Sequence, residues 1–291
     1  MAAVKIARAY TNKKKILCCG YHGWADWYSA TTELDGGCPD TRKVEAKQFT
    51  YNDMESFEKA LSKNVAAVMM EPYVFEGPKN SFLRRIRKMC LEKHILLIFD
   101  EVVTGFRTQD WTAQAMFDIK PDLACIGKAM ANGMPISAVG GKAEIMDVLT
   151  KGTFVSSTFG GDLLGISAAL ETIRIIESEG VIQDMWSYGE QMKGAFNSYA
   201  EGMDGVECIG YPCRTFFNFP TPEHRSLFWQ ECFDRGVLFG YAQFVTQSHS
   251  HTELDKTYAA MWEALSTVKK NWDKPEQRLR GQVAKATLRL R

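Results

Sequence analysis

Ile95-Leu96-Leu97-Ile98-Phe99-Asp100-Glu101 is five consecutive apolar residues closed by two carboxylates. A strand with one wet face alternates apolar and polar residues. A continuous apolar run suits a strand covered on both faces, as in parallel sheets. Similar short runs recur at residues 16–19, 66–70, 123–126 and 138–140. Amphipathic stretches of helical length lie between or after them, at 53–63, 81–93, 144–149, 163–179 and 183–201. This alternation predicts an α/β fold, a mostly parallel sheet between helices.

Beyond about residue 200 the texture changes to Gly- and Pro-punctuated pieces, with strands expected at 214–219 and 236–239 and helices at 224–235 and 251–272. The expected organisation is a large domain over 1–201, a smaller α+β domain over 202–272 after a junction at Gly202-Asp204-Gly205, and a basic tail over 273–291. The tail carries Arg278, Arg280, Lys285, Arg289 and Arg291 against Glu276, and reads as a solvated terminal helix or disorder.

The 291 residues carry 35 Lys+Arg and 35 Asp+Glu, with 45% hydrophobic residues. That suits a globular protein with a large core, and zero net charge supplies no field for holding a nucleic acid. The apolar runs are far shorter than the roughly 20 residues that span a bilayer, so no membrane association is expected. Eight cysteines are scattered without a CxxC pair. They read as reduced thiols in a cytoplasmic protein, most of them core residues such as Cys18, Cys19 and Cys125. Lys5, Arg8, Lys13, Lys14 and Lys15 sit near the amino terminus, where Val4, Ile6, Ala7 and Ala9 suit one buried helix with a cationic carboxyl end.

In an open parallel sheet, ligands sit beyond the carboxyl ends of the strands. Asp100 and Glu101 occupy such a place. A magnesium site beside a phosphate loop would use such a pair, but no GxxxxGK[ST] occurs, and Gly127-Lys128 and Gly141-Lys142 are each followed by Ala. Lys128 ends the apolar run 123–126 and precedes the small-residue loop Ala129-Met130-Ala131-Asn132-Gly133-Met134-Pro135. A desolvated lysine there can lose its proton and form Schiff bases. Taken singly, a solvated lysine and a helix-capping Asp-Glu would be the plainer readings.

Together, Ile98-Phe99-Asp100-Glu101-Val102-Val103-Thr104-Gly105-Phe106-Arg107 and Gly127-Lys128-Ala129-Met130-Ala131-Asn132-Gly133-Met134-Pro135 closely resemble the signature of class III aminotransferases. These are pyridoxal-phosphate enzymes of fold type I, and the nearest branch resembles the glutamate-1-semialdehyde aminomutases. The resemblance runs from about residue 3 to about residue 270. It implies an enzyme that moves an amino group between an amino acid or amine and a carbonyl acceptor through a Lys128 Schiff base. It also implies that Lys128 shuttles the proton and Asp100 pairs with the pyridine nitrogen, keeping the ring an electron sink. Val102 would pack on one face of the ring. Tyr21-His22-Gly23-Trp24 is similar to the family's cofactor-stacking segment, with Tyr21 as the stacker and His22 and Gly23 beside it.

Thr158, in Ser156-Ser157-Thr158-Phe159-Gly160-Gly161, matches the residue that binds the cofactor phosphate of a neighbouring subunit, which implies a homodimer with shared sites. Glu71-Pro72 matches a pair under the site floor. Arg107 is expected to be structural. Arg214 opens the small domain as a possible carboxylate ligand.

Two departures qualify the resemblance. The family's Ser-Gly-x-Glu-Ala turn, whose amides cradle the phosphate, precedes the helix in which this sequence starts, so the chain is expected to lack that amino-terminal segment. Gln243-Phe244 is followed by Val245 where the mutase branch has glutamate, which favours transamination. The alternatives are an aminomutase, or a truncated, impaired remnant that dimerises or weakly binds the cofactor. His249-Ser250-His251 shows no third ligand, and no metal is expected.

Overall fold

The structure is a computed structural model describing residues 1–43 and 45–284. The chain forms two compact units, residues 1–179 and a second beginning at Gly180.

The first unit contains α1 (Ala2–Thr11), β1 (Lys15–Cys19), α2 (Asp26–Ser29), α3 (Asp40–Lys43), β2 (Ala46–Gln48), α4 (Met54–Ala60) and β3 (Val65–Met70). It continues with α5 (Phe82–Glu92), β4 (Leu96–Asp100), α6 (Ala113–Met116), β5 (Leu123–Ile126), β6 (Ala138–Gly141), α7 (Ala143–Met146) and α8 (Leu163–Glu179). The sheet order is β2-β1-β3-β4-β5-β6. Its pairs are parallel except for β5 with β6.

Strand parity divides the core between two faces. Ile16, Cys18, Ala67, Met69 and Ile98 join Ala3, Val4, Ile6 and Ala7 of α1 and Trp27 and Tyr28 of α2 on one side. Leu17, Val68, Met70, Leu97 and Phe99 join Phe57 of α4 and Phe82, Leu83 and Ile86 of α5 on the other. This two-sided burial is why β3 and β4 read as continuous apolar runs. It is the mostly parallel, helix-covered sheet of fold type I.

Asp122, just before β5, fastens the opposite end of the sheet. It accepts from Arg87 Nη1 at 2.7 Å, Lys142 Nζ at 2.8 Å and the Leu97 amide at 2.8 Å. Burial alone would raise its pKa, but these donors outweigh burial and hold the carboxyl below its ordinary range. A depressed pKa means that the unfolded chain binds the proton more readily. The stabilisation is therefore present above about pH 4 and is lost as pH falls through the folded-state value. Asp122→Asn is expected to cost about 2–3 kcal/mol at pH 7 and to flatten the acid limb of the stability curve, both read by urea denaturation.

The second unit contains α9 (Val181–Tyr199), β7 (Glu207–Tyr211), β8 (Arg214–Asn218), α10 (Pro222–Asp234) and α11 (His251–Lys270). β7 and β8 form an antiparallel hairpin. Met192 and Phe196 of α9 share a core with Phe217, Phe228 and Met261, and the Phe196 and Phe217 rings stack 4.4 Å apart. That shared core is why the division falls at Gly180 rather than after residue 201. Ser250 and Glu253 close a reciprocal capping box at the start of α11.

Three expectations change. No strand forms over 236–239: Gly236, at φ +77°, ends α10, with the Gly236 amide donating to Phe233 and the Val237 amide to Cys232. β7 and the three-residue β2, neither expected, arise through pairing with β8 and β1. The segment 275–284, though largely exposed, is tied to α10 rather than forming a long helix or a disordered end. Gln230 exchanges hydrogen bonds with Arg278 and Arg280, Arg280 pairs with Asp234, and the Ala284 amide donates to Ser226. The rest of the predicted tail, from Lys285, lies outside the described residues.

Candidate active site

Because β1, β3, β4 and β5 run parallel in adjacent positions, their carboxyl ends line one edge of the sheet. Gly20-Tyr21-His22 follows β1, Glu71 follows β3, Asp100 closes β4 and Gly127-Lys128 follows β5. Residues up to 108 positions apart in the sequence (Gly20 to Lys128) thus share one edge of the sheet.

Glu71 braces the turn that follows β1. It is 3% exposed, and Oε2 accepts the Tyr21 amide at 2.9 Å. Gly20 has φ +101°, and a Cβ there would stand 2.7 Å from Glu71 Oε2, so the turn needs glycine for both backbone and space. The Tyr28 hydroxyl donates to the Gly20 carbonyl at 2.9 Å. The Tyr21 ring lies edge-on to Tyr28 and is 46% exposed. Gly23 continues the turn at φ +87°.

Asp100 is buried, with both oxygens engaged. Oδ2 lies 2.7 Å from His22 Nδ1, and Oδ1 accepts the Val102 amide at 3.2 Å. His22 is wholly buried at its side chain, stacked 5.9 Å from Trp27 and edge-on to Tyr28. The resemblance set His22 beside the cofactor; the structure commits its Nδ1 to Asp100. Val102, expected on the same strand as Asp100, begins a turn after β4 ends. Its Cγ1 would be 3.7 Å from a Cβ added at Gly127.

Lys128 opens a short 3-10 turn at φ +48°, a left-handed conformation that non-glycine residues seldom adopt. It is exposed, where the sequence pattern leads us to expect a desolvated side chain. Thr158 is also exposed, in the segment preceding α8. Arg107 donates to the Val103 carbonyl, within its own turn. In the second unit, the Arg214 guanidinium lies 5.4 Å from the Phe216 ring centroid and 6.0 Å from that of Phe244. His249 accepts from the Thr246 amide, and His251 meets Tyr188 edge-on. Val245 is buried in the second core.

Glu101 has a role that the sequence did not disclose. It is wholly buried and accepts from Thr104 Oγ1, the Ala113 and Gln114 amides and Gln114 Nε2. Burial pushes its pKa up, and these donors pull against that shift. The carboxylate therefore fastens the turn that carries Val102 to the start of α6. No local signal marks Ala113, 12 positions away, as its partner.

A buried carboxylate held from behind, a half-exposed aromatic ring and a primary amine on the adjoining strand end suit a flat, protonated pyridine bearing an aldehyde. The ring and aldehyde of pyridoxal phosphate fit this donor set.

Known proteins agree with that fit. The class-III aminotransferase profile matches residues 1–242. The 3-aminobutyryl-CoA aminotransferase of Cloacimonas acidaminovorans is 33% identical over 286 residues, covering 92% of this chain and 68% of that protein. The glutamate-1-semialdehyde 2,1-aminomutase of Nitrosopumilus maritimus is 32% identical, covering 92% and 73%. Among solved structures, the pyridoxal-phosphate internal aldimine form of FumI from Sphingopyxis sp. MTA144 superposes with a TM-score of 0.84 at 28% identity, covering 94% of this chain and 69% of that one. The ornithine aminotransferase of Toxoplasma gondii gives 0.83 at 25% identity, covering 94% and 70%. The chain belongs to the class-III aminotransferases, and its cofactor is pyridoxal phosphate. The family acts on a small-molecule amino donor and a carbonyl acceptor.

Proposed function

We propose that this chain carries out transamination, with Lys128 as the amine that moves the proton and Asp100 as the carboxylate that holds the ring nitrogen. What supports the proposal is a buried, doubly hydrogen-bonded Asp100 closing β4 next to β5, the strand that leads into Lys128. Pyridoxal phosphate, when bound, supplies an electron sink for the pair left on a substrate carbon as its proton departs.

The chain's own residues set the rest. Asp100 opposes a protonated ring nitrogen with a carboxylate whose geometry is fixed by His22 and Val102. Lys128 Nζ, on an exposed turn, would take the proton from the donor carbon and deliver it to the cofactor carbon that had carried the aldehyde oxygen, acting as general base and then general acid. Tyr21 and Val102 flank the ring, and Gly23 leaves the turn beside Tyr21 open. Thr158 binds the cofactor phosphate in a second copy of the chain. Exposed Phe154, Val155, Phe159, Leu163, Leu164 and Leu170 around that segment support a homodimer. All eight cysteines are free thiols, which supports a cytoplasmic location. No helix among the described residues is long and apolar enough to cross a membrane.

An aminomutase is the second reading, favoured by the mutase relatives; Val245, in place of the branch's glutamate, weighs toward transfer. A donor carrying 15N separates them. With the full chain, pyridoxal phosphate and a panel of donors and acceptors, transamination moves the label to the acceptor. Label on a different carbon of the donor skeleton, with none on the acceptor, indicates internal migration and contradicts the proposal.

A further inference from the structure

We infer that His22 is a positioning residue for Asp100, held as the neutral tautomer that donates its Nδ1 proton to the carboxylate, so that the pair presents one negative charge. The inference rests on Asp100 being the ring partner, and its test is separable from that reading.

The geometry leaves few arrangements. His22 Nδ1 and Asp100 Oδ2 are 2.7 Å apart, and His22 has no exposed side-chain surface. Nε2 is buried without a hydrogen-bond partner. The rings around it are those of Trp27 and Tyr28. An imidazolium would place an unmatched charged N–H at Nε2 among aromatic rings, the costliest of the choices. A proton on Nε2 alone would orphan that N–H and point the Nδ1 lone pair at a carboxylate oxygen. Moving the proton to Asp100 does not help, since Nε2 would still carry an orphaned N–H.

With the proton on Nδ1, the short contact becomes a charge-assisted hydrogen bond, and only an acceptor lone pair is left at Nε2. The Trp27 indole nitrogen, on the ring stacked against His22, is itself a buried donor without a partner. The Val102 amide donates to Oδ1 at 3.2 Å. Two donors therefore fix both Asp100 oxygens and set the plane in which the carboxylate meets a ring nitrogen.

The first test is 15N NMR of the full chain, labelled at histidine and without added cofactor. The chain has 5 histidines, and the resonances lost in His22→Asn are those of His22. The expected spectrum shows Nδ1 protonated and Nε2, the nitrogen coupled to both ring carbon protons, unprotonated. A protonated Nε2 overturns the inference.

The second test compares His22→Asn, whose amide can donate from near the Nδ1 position, with His22→Phe, which keeps a ring but no donor. Melting curves confirm folding. His22→Phe is expected to weaken pyridoxal-phosphate binding about tenfold, and His22→Asn to stay within about threefold of wild type. Equal losses would show that the ring merely packs, and would overturn the positioning role. If Nε2 is unprotonated but the cofactor never reaches Lys128, the functional reading fails and the tautomer stands. If the cofactor reaches Lys128 and Nε2 is protonated, the tautomer fails and the functional reading stands.

Discussion

Lys128→Ala is expected to lose amino transfer by at least about 10³-fold while keeping the wild-type melting temperature, because Lys128 is exposed and its removal empties no core. The side chain is asked to act as an amine that bonds the cofactor aldehyde and as the base and acid that moves the proton. Both roles vanish with Nζ. Lys128→Arg is the sharper control: it keeps charge and length, yet a guanidinium does not give up its proton near neutral pH. It should be about as inactive as the alanine variant. Activity within tenfold of wild type in either protein would remove Lys128 from the chemistry.

Asp100→Asn gives the second large effect and a different signature. The amide is nearly isosteric, but it is neutral and cannot hold a ring nitrogen in its protonated form. The ring then withdraws electrons less, and proton abstraction slows. A loss of about 10²–10³-fold in kcat is expected, comparable to removing one preorganised electrostatic contact, with Lys128 still able to react with the cofactor. Steady-state kinetics and cofactor titration separate the two quantities. An unchanged kcat, or failure confined to substrate KM, would contradict the assignment. His22 adds a refinement: with the amide oxygen at the Oδ2 position its Nδ1 proton still finds an acceptor, and only the longer contact from the Val102 amide is lost. The variant should therefore fold.

Much of this could be read from residue order, for a physical reason. Strands buried on two faces have no room for polar residues, so β3 and β4 declare themselves as apolar runs, and the carboxylate at the end of β4 stands out against them. Elements whose existence depends on a partner were not legible. β2 is Ala46-Lys47-Gln48, a polar edge strand made by pairing with β1. β7 contains Gly210 and acquires its form from β8. The reverse error occurred at 236–239, where Val237, Leu238 and Phe239 look like a strand but follow a helix-terminating glycine, leaving Leu238 80% exposed.

The same division holds within the site. Asp100 and Lys128 were visible as polar residues at strand ends. The bond from His22 to Asp100, spanning 78 positions, required knowing that β1 and β4 end at the same edge. Glu101 stands beside Asp100 at the same strand end, and its four donors make it the fastening of the following turn. The sequence pattern placed both carboxylates at the strand end and could not say which one was tied into the turn, because that depends on Ala113 and Gln114 returning to meet one of them.

The most direct test of the central claim is covalent. The full chain is incubated with pyridoxal phosphate, reduced with borohydride and digested, and the modified lysine is located by peptide mass mapping. The account predicts one dominant label, on Lys128, absent from Lys128→Ala. Label spread over surface lysines, or concentrated on any lysine other than Lys128, would contradict it.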